Sequence, residues 1–285
     1  MEYVTLNNGV VMPQLGLGVM NINDPKEGEE AIVAALQMGY RLIDTAAAYA
    51  NEEIVGRAIA KSGLAREEIF VTSKLWVSDM SYEGAQRGLE TSLKKLNLDY
   101  IDLYVLHQPI GDLYGAWRYL TEAYKAGKIR AIGVDNFTQA KLVEFIKFNE
   151  IKPAVNLIQA NVFHQRQEDQ AAMMARGVQM VAWQPFAAGD QNLFSQSELV
   201  AIAEKHGKSV AQVVLRWLLQ RGVVAIPKSI NPQRMAENLA VFDFELDPTD
   251  MDAIRELDQG GGFALPETAD GLERVLDMWE RMFGK

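Results

Sequence analysis

Eight short apolar runs alternate with helical stretches along the chain, short polar connections join them, and glycine recurs where the helices end. Together these features predict an α/β protein: a single (β/α)8 (TIM) barrel domain over residues 1–285. A β-hairpin is expected before the first unit and an additional helix after the last.

The hairpin comes first. Val4-Thr5-Leu6 and Val10-Val11-Met12 flank Asn7-Asn8-Gly9, and an Asn-Gly step between apolar runs suits a tight antiparallel turn. Barrel strands are then predicted at 15–19, 41–45, 69–73, 101–106, 129–134, 155–159, 178–183 and 223–227. Runs such as Leu103-Tyr104-Val105-Leu106 and Val223-Val224-Ala225-Ile226 are apolar throughout, as strands covered on both faces should be. Helices are predicted near 27–38, 51–61, 82–96, 115–126, 138–149, 167–176, 197–206 and 210–221. Glycines 39, 63, 127, 177, 207 and 222 stand where a left-handed cap would end a helix. Thr138 and Ser209 are placed to cap helix N-termini. A short helix opens near Pro232, and Gly260-Gly261-Gly262 punctuates the chain before a tail helix over 271–283. Leu272, Val275, Leu276, Met278, Trp279 and Met282 predict that this last helix packs against the barrel.

The rival architecture is an open doubly wound sheet. Its dinucleotide fingerprint needs a glycine-rich turn leading from a strand into a helix, but Gly16-Leu17-Gly18 runs on into Val19-Met20-Asn21 without a third glycine.

The chain carries a formal net charge of −10 and no cysteine. That excludes disulfides, thiolate metal sites and cysteine nucleophiles, and argues against a broad nucleic-acid-binding face. No run approaches the roughly 20 apolar residues of a membrane span, and the N-terminus lacks a signal-peptide pattern. A cytoplasmic monomer with no membrane partner is the expectation. His164 and His206 lack a ligand cluster, so no metal site is predicted, and His206 reads as a surface residue.

Barrel chemistry belongs at the C-terminal strand ends. Asp44, Lys74 and His107 end successive strands, and Tyr49 follows Asp44 in its loop. Singly, each has a structural reading: a cap, packing, an escape to solvent, a satisfied histidine. Their conjunction points to proton transfer at a carbonyl. A phenol titrates near about 10, a neighbouring ammonium lowers that value, and a carboxylate holds the ammonium in place. Asp44 would thus orient Lys74, Lys74 would tune Tyr49 as proton donor, and His107 would position the carbonyl. None of the four supplies a hydride, so a small-molecule carbonyl substrate calls for a reduced cofactor. Residues 226–234, with Glu237 and Asn238 beyond, leave the eighth strand and enter a short helix, a usual place for a phosphate. Lys228 and Arg234 can neutralise one, and Ser229 can donate to it.

These stretches resemble the aldo-keto reductase family, especially its smaller bacterial members, over essentially the whole chain. The resemblance rests on Gly39-Tyr40-Arg41-Leu42-Ile43-Asp44-Thr45-Ala46-Ala47-Ala48-Tyr49, Asn51-Glu52, Val55-Gly56, Asp99-Tyr100-Ile101-Asp102-Leu103-Tyr104, His107 and residues 226–234. It implies Asp44, Tyr49, Lys74 and His107 as a catalytic tetrad, and NADP(H) as cofactor. Lys228, Ser229 and Arg234 would then hold the adenosine 2′-phosphate, and Glu237 and Asn238 the adenine. Asn136 and Trp183 would face the nicotinamide, while Met20, Trp76 and Gln108 would line the substrate pocket. The implied activity is reduction of aldehydes, ketones, dicarbonyls or keto-sugars.

The nicotinamide segment departs from the family pattern. Gly133-Val134-Asp135-Asn136-Phe137 has Asp135 where serine is usual. In Val155-Asn156-Leu157-Ile158-Gln159, Leu157 replaces a glutamine expected to bind the carboxamide, and Gln184 replaces a small residue. Altered affinity or placement of the nicotinamide is expected. Two other functions stay open on sequence alone: a barrel hydrolase using Asp44 and Asp135, and an NADP(H)-binding regulatory protein without turnover.

Overall fold

A computed structural model of the chain describes residues 1–283; the last two positions of the predicted domain lie outside the described residues. The hairpin forms as the Asn-Gly turn demands. Strands β1 (Tyr3–Thr5) and β2 (Val11–Pro13) pair antiparallel, with Val4 opposite Met12. Leu6 and Met12 are buried against Leu42, Phe70, Leu103 and Val155. The hairpin thereby stoppers the N-terminal end of the barrel with apolar side chains and leaves the opposite end free for chemistry.

Eight parallel strands follow in sequence order: β3 (Leu17–Gly18), β4 (Leu42–Asp44), β5 (Phe70–Leu75), β6 (Ile101–Leu106), β7 (Ile129–Asp135), β8 (Val155–Gln159), β9 (Gln179–Trp183) and β10 (Val224–Ala225). The circle closes where Leu15 bridges Ala225 and Gly18 bridges Lys228, with Gly16 N donating to Ala225 O and Gly18 N to Pro227 O, each at 2.9 Å. A Cβ on Gly16 would stand 2.5 Å from the Leu42 side chain. Gly16 therefore permits barrel closure, and this is the structural reason for glycine there rather than a phosphate turn.

The eight helices after the strands lie within two residues of their predicted bounds. Tyr82–Leu96 and Ser197–His206 coincide with the prediction. Gly39 (φ 117°) and Gly207 (φ 61°) are left-handed C-caps, and Ser209 forms a reciprocal capping box with Gln212. Two helices escaped prediction: Gln191–Ser195 and Pro248–Arg255. The second has a legible start, because Asp247 caps, Pro248 occupies the first turn and Asp250 completes a capping box. His206, read as a surface residue, instead tucks its ring against Pro248–Arg255, with Nε2 2.7 Å from Asp250 Oδ2. Among the described residues no helix is long and apolar enough to cross a membrane.

The tail follows a defined path over the C-terminal end of the barrel. Gly260 O lies 2.6 Å from His164 Nδ1, and Phe263 N donates to Gln159 Oε1 at 2.6 Å. The closing helix, Ala269–Phe283, then lays Trp279 and Phe283 edge-on against Trp76.

Candidate active site

Parallel pairing fixes where the strand-end side chains meet. Asp44 pairs with Thr72, Lys74 with Val105, and Asp135 with Leu157, so adjacent strands deliver polar groups to one rim of the barrel. Lys74 Nζ donates to Asp44 Oδ1 at 2.5 Å and to Thr45 O at 3.0 Å, and lies 3.5 Å from Tyr49 Oη. The ammonium's three donors are thereby committed. Tyr49 ends a short 3-10 turn, Ala47–Tyr49, whose base is tied down by Thr45 Oγ1 donating to Asn51 Oδ1 at 2.7 Å. Asn51 in turn donates to Val19 O at 2.8 Å, linking the turn to the first barrel unit. The His107 ring stands edge-on to Tyr49 at 5.7 Å and to Trp76 at 5.1 Å between centroids.

Burial sets the electrostatics. It pushes the Asp44 carboxyl up, and Lys74 pulls it back. Burial also works against the Lys74 ammonium, but the Asp44 carboxylate, 2.5 Å away, outweighs it and holds lysine protonated. The Tyr49 phenol departs from the sequence reading. Burial pushes it up to about 12 despite the opposing pull of Lys74, whereas Lys74 alone was expected to lower it. Tyr49 therefore carries its proton throughout the neutral range. Burial, with the Lys74 charge, drives His107 well below the ordinary histidine range, so its imidazole is neutral. Its buried Nδ1 finds no partner among the described residues.

These groups form the floor of a cavity of about 910 Å³. Every residue predicted for the site lines it, including Asp135, Asn136, Leu157, Trp183, Lys228, Ser229, Arg234, Glu237, Asn238, Met20, Trp76 and Gln108. At one end, Asn231 caps the helix Pro232–Leu239 by accepting from Arg234 N at 3.0 Å. Lys228 and Arg234 are exposed there, Ser229 and Asn238 buried. At the other end, Asn136 adopts a left-handed backbone (φ 60°) that turns its amide into the cavity. Asn136 Nδ2 lies 3.3 Å from Gln108 Oε1, while its Oδ1 accepts from Trp183 Nε1 at 3.2 Å. Leu157 is buried and apolar, and the neighbouring Asp135 Oδ1 has no partner among the described residues.

The cavity suits a dinucleotide phosphate: two cations and a helix N-terminus at one end, a polar amide and an indole at the other. Sequence reasoning missed the walls supplied by Trp279 and Phe283, and by Phe194 of the helix Gln191–Ser195. The amphipathic tail was legible, but its docking direction depends on contacts more than 200 residues apart in the chain. Ser209 was expected only as a cap and also lines the cavity. Among the described residues no group of three or more His, Cys, Asp or Glu side chains is arranged to hold a metal.

The model of the Aldo/keto reductase family matches residues 14–259. The glyoxal reductase of Bacillus subtilis (strain 168) is 50% identical over 259 residues, covering 90% of this chain and 93% of the relative. Methylglyoxal reductase DkgA of Escherichia coli (strain K12) is 44% identical over 260 residues, covering 90% of this chain and 94% of its own. The crystal structure of a Bombyx mori aldo-keto reductase in complex with NADP superposes with a TM-score of 0.86 at 34% identity, covering 90% of this chain and 93% of that one.

Proposed function

The chain belongs to the aldo/keto reductase family, and from that premise we propose that it reduces small aldehydes and α-dicarbonyls of the glyoxal type to alcohols, with Tyr49 as proton donor. It is an NADP(H)-dependent carbonyl reductase. The observation that carries the reading is the buried Asp44–Lys74 pair reaching half-buried Tyr49, with neutral His107 beside them on the floor of one cavity.

Bound NADPH supplies the hydride. Tyr49 delivers the proton that the carbonyl oxygen needs as negative charge grows on it. A phenol held protonated in the free protein is suited to donate. Lys74, 3.5 Å away, stabilises the phenolate left behind. Asp44 keeps Lys74 charged and aimed. His107, being neutral, can donate one hydrogen bond to the substrate oxygen without adding a second cation beside Lys74. Lys228, Arg234 and Ser229 bind the 2′-phosphate, Glu237 and Asn238 the adenine, and Asn136 and Trp183 the nicotinamide end. Asp135 and Leu157 give that end unusual chemistry. Trp76, Trp279 and Phe283 close an aromatic wall beside His107, which supports a compact substrate. Met20 and Gln108 complete the mouth. One chain supplies all these groups, which supports activity as a monomer.

NADPH consumption with glyoxal, methylglyoxal, a bulky ketone and a keto-sugar tests this reading, wild type against Tyr49→Phe. The small dicarbonyls should be the better substrates, and the variant should lose roughly 10²–10⁴ in rate. Retained NADPH binding with no turnover of any carbonyl would favour a regulatory role instead.

A further inference from the structure

Asp135 contributes an acid to the cavity floor, and the reaction described above leaves it without a role. It ends β7, is 3% exposed, and pairs in register with apolar Leu157 of β8, which offers it no polar side chain. Its Oδ1 is buried without a partner among the described residues. The charged and titratable groups that act on it come from neighbouring elements: Asp44 of β4, Tyr49 of the following turn, and Lys74 of β5. Lys74 is already saturated by Asp44, Thr45 and Tyr49. The second carboxyl therefore lacks a counter-ion of its own.

The chemistry placed on this floor swings a ring between a neutral reduced form and a cationic oxidised form. A carboxyl able to ionise beside that ring cannot treat the two forms equally. We propose that Asp135 sets the protein's relative affinity for oxidised and reduced cofactor: as a carboxylate it pairs with cationic nicotinamide, and as an acid it accommodates the neutral ring. This rests on the reading of the cavity as an NADP(H) site.

The sign follows from linkage. Burial drives the Asp135 carboxyl well above its ordinary range in the free protein, so the oxidised form must expel a proton to gain its counter-ion. Affinity for NADP⁺ relative to NADPH then rises with pH, by at most about tenfold per unit, and by reciprocity NADP⁺ binding releases protons. The adenosine 2′-phosphate is common to both forms and cancels in the ratio. Tyr49 titrates above the neutral window and His107 below it.

The test is to measure dissociation constants of NADP⁺ and NADPH from about pH 6 to about pH 9 for wild type, Asp135→Asn and Asp135→Ser. Calorimetry in two buffers of different ionisation enthalpy counts the protons released. The wild-type affinity ratio should climb severalfold towards NADP⁺ across the range, with more protons released on NADP⁺ than on NADPH binding. Both variants should show a flat ratio and equal proton counts. A flat wild-type ratio, or a climb that survives in either variant, would overturn the inference while leaving the cofactor assignment intact. Failure of wild type to bind either form would overturn the cofactor assignment and the inference together.

Discussion

Replacing Lys74 by methionine keeps most of the side-chain volume and removes the ammonium from the cavity floor. Its side chain is 2% exposed and that of its partner Asp44 is 5% exposed, with 2.5 Å between Nζ and Oδ1. Deleting one member of a buried pair leaves an uncompensated charge and costs about 3–5 kcal/mol. In a domain of this size the loss corresponds to a fall in melting temperature of roughly 6–20 °C. The effect should depend on pH. Without Lys74 the Asp44 carboxyl is driven further above its unfolded value, so the protonated form is the one the fold tolerates. Stability is then best preserved below the unfolded carboxylate range, and is lost as pH rises through the raised folded value. Adding Asp44→Asn removes the stranded charge and should recover a large part of the loss. Denaturant unfolding of the wild type, both single variants and the double variant, at acid and neutral pH, closes the cycle. A Lys74→Met protein as stable as wild type at neutral pH, or a double variant no more stable than it, would refute the buried-pair argument.

Two further outcomes follow from the ends of the cavity. Arg234→Ala and Lys228→Ala each remove a cation from the phosphate end, so NADPH should bind roughly tenfold more weakly per substitution while NADH binding hardly changes; titration by cofactor fluorescence reads both. An equal loss for the two cofactors would place the phosphate elsewhere. Trp279→Ala removes the one large buried side chain among the described residues of the closing helix, and with it an edge-on contact to Trp76. KM for glyoxal should rise severalfold and bulkier ketones should gain relative to it, while melting shifts little because the helix is peripheral. A large melting shift with unchanged selectivity would make Trp279 a stability residue and not a substrate wall.

The sequence made much of this architecture legible because strong local signals agreed with one another. Apolar runs such as Leu103-Tyr104-Val105-Leu106 mark strands covered on both faces, and Ser209, Gly39 and Gly207 mark helix ends through their own backbone chemistry. The strand-end placement of Asp44, Lys74 and His107 was readable for the same reason. Three features were not. The helix Gln191–Ser195 is too short to carry a period. Trp279 was recognisable as an apolar residue of an amphipathic helix, but not as a neighbour of Trp76, since nothing local specifies where a terminal helix docks. The upward displacement of Tyr49 depends on burial by several elements, whereas sequence inspection sees only the nearby lysine. Leu157 and Asp135 were visible as departures; what the fold adds is that both are buried and face the same cavity, with the Asp135 Oδ1 left without a partner among the described residues.

In the proposed reaction Tyr49 hands the proton to a carbonyl held on this floor. The most direct measurement is single-turnover oxidation of NADPH with glyoxal in wild type and Tyr49→Phe, alongside NADPH affinity for each. Affinity should stay unchanged, within about twofold, and the rate of the chemical step should fall by roughly 10²–10⁴. A variant that turns over at the wild-type rate would contradict this role for Tyr49.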